Sequence, residues 1–207
     1  MARHLEFDKP PVIGIIRHCP LAHVEGVVKA AVAAGLSMIE IALGSEGSLA
    51  SIERVRTALP EISLGAGTVL RTDEVDAAVD SGASFIVSPM IDRDLIERCS
   101  ALDIPCIPGA GTVTEIWTAL QLDVQAVKVF PAEQLGGPAF LQAVRAPLGD
   151  APLVPTGGID ASNAAAYLKA GAVALGVGTG IFPQRALAEG DVEQVRSLTA
   201  GLLKQLA

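Results

Sequence analysis

Aromatic side chains are scarce in this chain: one tryptophan, one tyrosine and five phenylalanines among 207 residues. So few rings cannot pave a platform on which bases stack. Positive charge is also in short supply. The formal net charge is −8, whereas nucleic-acid phosphates call for a basic face. A small anion needs only a local positive site, which a few side chains and backbone N–H groups can supply. No apolar run approaches the ~20 residues that span a bilayer. The opening Met1-Ala-Arg-His-Leu-Glu-Phe-Asp8 has no continuous apolar stretch, so no signal peptide is expected. Cysteines are few and odd in number (Cys19, Cys99 and Cys106), and no pair has metal or redox spacing. That pattern suggests reduced thiols in the cytoplasm, with Cys99 and Cys106 as packing residues. The histidines, His4, His18 and His23, all lie near the N-terminus, and none has a third partner at metal-ligand spacing. Surface or loop roles are expected for them, with His18 a candidate for contact near Arg17. No Gly-x-x-x-x-Gly-Lys-Ser/Thr motif is present, so a nucleoside triphosphatase is not inferred.

What is present is enough apolar sequence for one well-buried core: half the residues are hydrophobic and 18% are charged. There is no linker and no break in composition. A single α/β domain spanning 1–207 is expected, with a short N-terminal segment 1–10. The chain carries a period of roughly 45 residues, in the range of repeat architectures. One series runs Ala34–Ile41, Ser81–Ser88, Leu122–Val129 and Ala170–Val177. In each, a helix-like stretch ends near a Gly or Asp and a short apolar strand follows. In a second series, Gly65-Ala-Gly-Thr-Val69 recurs as Gly109-Ala-Gly-Thr-Val113. Thr156 follows Thr112 by the same 44 residues that separate Thr112 from Thr68. Val12–Ile16, followed by Arg17, opens this series.

Together the two series predict eight strands. Helices are expected at 22–34, 48–59, 73–81, 92–101, 114–122, 138–146, 161–170 and 192–206. Apolar strands alternating with helices imply a parallel sheet covered on both faces, and eight such units suggest a (β/α)₈ TIM barrel. An open doubly wound sheet is the structural competitor, but it would not naturally produce near-equal quarter repeats. Trp117 and Tyr167 fall in predicted helices and read as packing residues.

In such a barrel the site lies at the carboxyl ends of the strands, and alternate strands share an interior layer. Glu40, Val87, Lys128 and Gly176 occupy one offset in the first series. The spacing therefore places Glu40 and Lys128 facing each other across the lumen. Lys128 is flanked by Val127 and Val129, and charged groups are seldom buried unless paired. An edge-strand lysine or a buried salt bridge with Glu40 would also explain it. The barrel-end position and the facing carboxylate tip the reading towards catalysis. Burial and a nearby cation both disfavour the ammonium form, leaving an amine free to attack a ketone. Arg17 could be that cation, could hold a substrate carboxylate in a bidentate pair, or could be a rim arginine paired with a surface acid. Thr156-Gly-Gly-Ile-Asp160 and Gly176-Val-Gly-Thr-Gly180 follow the last two strands, where barrels often bind phosphate with help from a helix N-terminus. Asp160 or Ser162 could instead cap the next helix.

The ordered set Ile39-Glu-Ile41, Gly65-Ala-Gly-Thr-Val-Leu70, Val87-Ser-Pro89, Lys128-Val-Phe-Pro-Ala-Glu133 and Pro155-Thr-Gly-Gly-Ile159 resembles the bacterial 2-keto-3-deoxy-6-phosphogluconate aldolases. That family includes 4-hydroxy-2-oxoglutarate aldolases and 6-phosphogalactonate homologues. The resemblance runs from about Pro11 to Phe182. It implies a homotrimer of TIM barrels that splits a phosphorylated keto-deoxy sugar acid into pyruvate and glyceraldehyde 3-phosphate. It implies Lys128 as the Schiff-base lysine, Glu40 as the general acid/base and Thr68 as the pyruvate-carboxylate contact. By the same resemblance Gly157, Gly158, Gly178 and Thr179 bind phosphate, Thr156 reads the substrate hydroxyl, and Pro89 and Phe130 wall the pocket. No metal or organic cofactor, nucleic acid or membrane is called for. Where many members carry an arginine four residues after the glutamate, this chain has Gly44; Arg17 matches members that place the arginine after the first strand. Gly44 and Arg17 lean towards the galactonate branch, Thr156 and Pro131-Ala-Glu133 towards the gluconate branch. A 4-hydroxy-2-oxoglutarate aldolase, a sugar-phosphate epimerase or isomerase with no covalent intermediate, and a non-catalytic binding barrel are the competing readings.

Overall fold

The computed structural model describes residues 5–7, 11–122 and 124–206. His4 and Asp123, the latter at one of the expected helix ends, lie outside them. Strands and helices alternate as β1 (Val12–Ile16), α1 (Leu21–Ala33), β2 (Met38–Ala42), α2 (Ser48–Ala58), β3 (Ser63–Gly67), α3 (Thr72–Asp80), β4 (Phe85–Val87) and α4 (Arg93–Ala101). They continue as β5 (Cys106–Ile107), β6 (Gly109–Ala110), α5 (Val113–Leu120), β7 (Val127–Val129), α6 (Gly137–Leu148), β8 (Leu153–Pro155), α7 (Ala164–Lys169), β9 (Leu175–Val177), α8 (Gln184–Glu189) and α9 (Val192–Leu206). Every strand pairing is parallel. No helix among the described residues is long and apolar enough to cross a membrane.

The strands form a curled six-stranded sheet, β5-β4-β3-β2-β1-β9, and a three-stranded sheet, β6-β7-β8, in place of one uninterrupted eight-stranded sheet. The division has two local causes. The fifth expected strand is split into β5 and β6 at Pro108, which has no N–H to give to the ladder, although its carbonyl still accepts from Lys128 N–H at 2.8 Å. Between β8 and β9 the pairing shrinks to one parallel bridge, Thr156 to Gly176.

Side chains alternate between two cores, as the two-residue period of a strand requires. Ile13, Met38, Phe85, Val87, Ile107, Ala126, Val154 and Ala174 join Leu5 in an inner cluster. Their neighbours, among them Val12, Ile39, Leu64, Ile86, Val127, Leu153 and Leu175, pack outwards in the larger cluster beneath the helices. Cys99 and Cys106 are buried free thiols in this outer cluster. Tyr167 is buried there as well, but Trp117 is 54% exposed, contrary to the packing role expected of it. The apolar face of α5 is set by Ile116 and Ala119, and Trp117 lies on its flank. His23 falls in α1, inside the helix expected at 22–34, and its Nδ1 lies 3.3 Å from the Leu187 carbonyl. The short helix α8, missing from the sequence-based expectation, has too few residues for a helical period to stand out.

Candidate active site

Two residues beyond five members of the inner cluster lies the next inward position, and these positions form a layer above the core. Ala126 leads to Lys128, Met38 to Glu40, Ile13 to Ile15, Val154 to Thr156 and Ala174 to Gly176. Lys128 stands in the middle of its sheet, in register with Gly109 on β6 and Val154 on β8, so it is not an edge-strand lysine. It is 5% exposed. Glu40 lies between Ile15 on β1 and Gly65 on β3. Counting through the Thr156–Gly176 bridge, β7 and β2 are separated by β8, β9 and β1 on one side and by β6/β5, β4 and β3 on the other. They are as far apart around the strand order as two strands can be.

Glu40 is almost completely buried, and its Oε1 has no hydrogen-bond partner. No ion pair joins it to Lys128 among the described residues, which removes the buried salt bridge as an explanation for the lysine. Burial pushes the Glu40 carboxyl above its ordinary value, and the opposing attraction of Lys128 and Arg17 does not cancel it. The carboxyl has room because residue 67 lacks a side chain: a Cβ on Gly67 would fall 1.7 Å from Glu40 Oε1.

Above this layer opens a cavity of about 500 Å³, a size suited to a small ligand. Lys128 and Thr156 reach it from the strands, and Phe130 and Pro89 form its walls. The Phe130 ring centroid is 5.4 Å from Lys128 Nζ, within range of a cation–π contact whenever the amine is protonated. Pro89 is close because Gly109 has no side chain; a Cβ there would approach the Pro89 carbonyl to 2.3 Å. On one side, Arg17 Nη2 donates to Thr68 Oγ1 at 2.9 Å. Thr68 adopts φ +57, which is unusual for a β-branched residue. Gln184 Nε2 donates to the Arg17 carbonyl at 3.1 Å, tying α8 to the end of β1. Gly44 also has positive φ, and a Cβ there would meet nothing within 4 Å; it is Arg17 that brings a guanidinium to the cavity.

On the other side, Gly157 and Gly158 after β8 meet Gly178 and Thr179 after β9. The helices beyond these loops begin late. Asp160 accepts from the backbone and hydroxyl of Ser162, and Asn163 Nδ2 donates to the Gly158 carbonyl at 2.7 Å. A hydrogen-bonded turn thus occupies residues 160–163, where the sequence suggested helix from 161. Neither Asp160 nor Ser162 caps α7, because the residue preceding its first turn is Asn163.

Every substrate-binding residue expected from the sequence therefore lines one cavity with Lys128, and Glu40 lies in the buried layer without reaching the cavity surface. Ile15 and Ile159 line it as well. Sequence reasoning missed them, although Ile15 is the inward position after Ile13. His18 does not line the cavity. Among the described residues no group of three or more His, Cys, Asp or Glu could hold a metal ion.

A buried amine, a buried carboxyl whose affinity for its proton is raised, and a cavity with a guanidinium on one side and glycine loops on the other suit one class of protein. Fold and site define a lyase, an α/β enzyme built to open a carbon–carbon bond beside a ketone. The chain belongs to the KDPG and KHG aldolase family, whose model matches residues 5–198. A 2-dehydro-3-deoxy-phosphogluconate aldolase of Pseudomonas aeruginosa is 36% identical over 197 residues, covering 95% of this chain and 88% of that one. Among solved structures, one described as native KDPGal superposes with a TM-score of 0.89 at 31% identity, over 98% of this chain and 97% of that one. The KDPG aldolase of Legionella pneumophila, with pyruvate captured at low pH as a covalent carbinolamine intermediate, gives 0.87 at 28% identity over 93% of both chains.

Proposed function

We propose that this protein is a class I aldolase that cleaves a phosphorylated 2-keto-3-deoxy sugar acid to pyruvate and glyceraldehyde 3-phosphate through an imine on Lys128. The observation that carries the reading is the Lys128 amine, buried without an ion-pair partner at the floor of the cavity, across the strand order from a Glu40 carboxyl whose affinity for its proton is raised by burial.

Lys128 adds to the C2 ketone. Glu40, directly or through a water, gives its proton to the departing hydroxyl, leaving an iminium beside a carboxylate. The Glu40 carboxylate then takes the C4 hydroxyl proton. The C3–C4 electron pair flows into the iminium, and the aldehyde leaves. Protonation of the enamine at C3 and hydrolysis return the free amine and release pyruvate. Arg17 and Thr68 hold the carboxylate end of the substrate. Gly157, Gly158, Gly178 and Thr179 hold the phosphate, so the remote end orients the scissile bond. Thr156 meets the substrate hydroxyl, and Phe130 and Pro89 keep water from the amine.

The same reading makes the two sheets one (β/α)₈ barrel domain, joined at Pro108 and at the Thr156–Gly176 bridge. It also makes the protein a cytoplasmic homotrimer, for which the exposed Trp117, Val113, Met90 and Leu70 offer apolar surface. The test is pyruvate release from the phosphorylated keto-deoxy acid by the wild type and by Lys128→Ala. Turnover should fall by more than about 10³-fold in the variant; near-normal turnover would refute the mechanism.

A further inference from the structure

The inward layer contains a glycine that backbone conformation does not require. Gly176 lies in β9 with no positive φ, at an inward position where a side chain would point into the lumen. Its neighbour across the only bridge between β8 and β9 is Thr156. A Cβ on Gly176 would lie 2.2 Å from Thr156 Oγ1 and 3.0 Å from both Thr156 Cβ and Cγ2. Of the other two staggered rotamers of the threonine, one swings the methyl into the space the oxygen left and the other moves the hydroxyl to the place the methyl now holds, 3.0 Å from the added carbon, so the hydroxyl leaves its present position either way. Thr156 is 6% exposed, yet its hydroxyl makes only a long 3.4 Å contact with the carbonyl of Val154. Its hydrogen-bonding capacity is therefore largely unspent at the wall of the Lys128 cavity.

We propose that Gly176 is a positioning residue that sets substrate stereospecificity by leaving the space in which Thr156 holds its hydroxyl towards the cavity. The proposal rests on the aldolase reading above, in which Thr156 meets the substrate hydroxyl. The gluconate- and galactonate-type acids differ in configuration at C4, the carbon whose hydroxyl is deprotonated as the bond breaks. A hydroxyl fixed in one place favours one configuration. A hydroxyl displaced by a side chain at 176 loses that preference, while Lys128 and Glu40 stay where they are.

The experiment compares kcat/KM for the two phosphorylated epimers in the wild type, Gly176→Ala, Thr156→Ala and the double variant. Gly176→Ala should change the epimer ratio on the order of tenfold, the scale of one well-placed hydrogen bond, in the same direction as Thr156→Ala. In the double variant, which lacks the crowded γ atoms and keeps only the 3.0 Å approach of the two β carbons, the ratio should match Thr156→Ala alone to within about twofold. An unchanged ratio in Gly176→Ala, or a further shift in the double variant, overturns the proposal. The second result would mean that residue 176 meets the substrate itself. Trapping of pyruvate on Lys128 with borohydride is run in parallel. If the wild type gives no adduct, the aldolase reading fails and this proposal with it. Trapping retained in Gly176→Ala alongside an unchanged epimer ratio refutes the role of Gly176 alone.

Discussion

Glu40 shows how a single residue's environment decides its chemistry. Two cations attract its charge, yet desolvation is the larger effect and the carboxyl is held above its ordinary value. The linkage to stability follows directly. Below the unfolded value of about 4.3 the group is neutral in both states and costs nothing. As pH rises from there to the folded value, the unfolded chain ionises freely while the buried group resists, so stability is lost across that window. Glu40→Gln stays neutral at every pH. The melting temperature of the variant relative to the wild type should therefore climb as pH rises through that window and then level off. A difference that stays flat from pH 4 to 8 would show that burial does not govern this carboxyl.

The partner of that carboxyl is an absence. Gly67 sits where a methyl group would overlap Oε1 and crowd the Glu40 carboxyl carbon and Cγ as well, so the whole side chain would have to move. Gly67→Ala should lower kcat by at least about 10²-fold, the low end of what a positioned acid–base group contributes, in a protein whose far-UV circular dichroism is unchanged. A kcat within threefold or so of wild type would mean that proton transfer does not depend on the seat of Glu40.

At the scale of elements, the repeat shows how one motif diverges. Thr68, Thr112 and Thr156 are equally spaced in the sequence, but they do different work. Thr68 bonds Arg17 and Thr156 lines the cavity. Thr112 caps α5 in a capping box with Glu115, whose carboxylate accepts from the Gly111 and Thr112 N–H groups. Thr112→Ala should cost about 1 kcal/mol and lower the melting temperature by about 2–4 °C, with kcat/KM unchanged. A loss of activity with no loss of stability would place Thr112 in the site instead.

Strand positions were legible in the sequence because short apolar runs after Gly or Asp announce themselves, and the common offset of Glu40 and Lys128 followed from the strand period. Other features were not legible, each for a local reason. Pro108 divides a strand because the ladder needs its missing N–H, which an apolar pattern does not reveal. The turn at 160–163 replaces the start of a helix because Asp160 and Asn163 bond the backbone locally. Trp117 lies outside because helix-face assignment over eight residues is set by Ile116 and Ala119 rather than by size.

Across the whole molecule, the two alternating cores explain why a chain of net charge −8 can still attract an anion. The outer core fixes the helices to the sheet, and the inner core forms a floor that lifts one layer of polar side chains to the carboxyl ends of the strands. The positive elements, Arg17 and the loop N–H groups, are gathered at that end around the Lys128 amine. The family resemblance was legible because the motifs lie at strand ends, where the fold brings distant segments together. The inward glycines that make the space were hidden, since nothing in a sequence distinguishes a glycine kept for its backbone from one kept for its emptiness.

The central claim is that Lys128 forms a covalent bond with the substrate ketone, and reductive trapping tests it most directly. The protein is incubated with pyruvate and borohydride and then digested for peptide mass spectrometry. A stable pyruvate-derived adduct on Lys128, absent when borohydride is omitted, is the expected result. An unmodified Lys128 in a preparation that still releases pyruvate from its substrate would contradict the account.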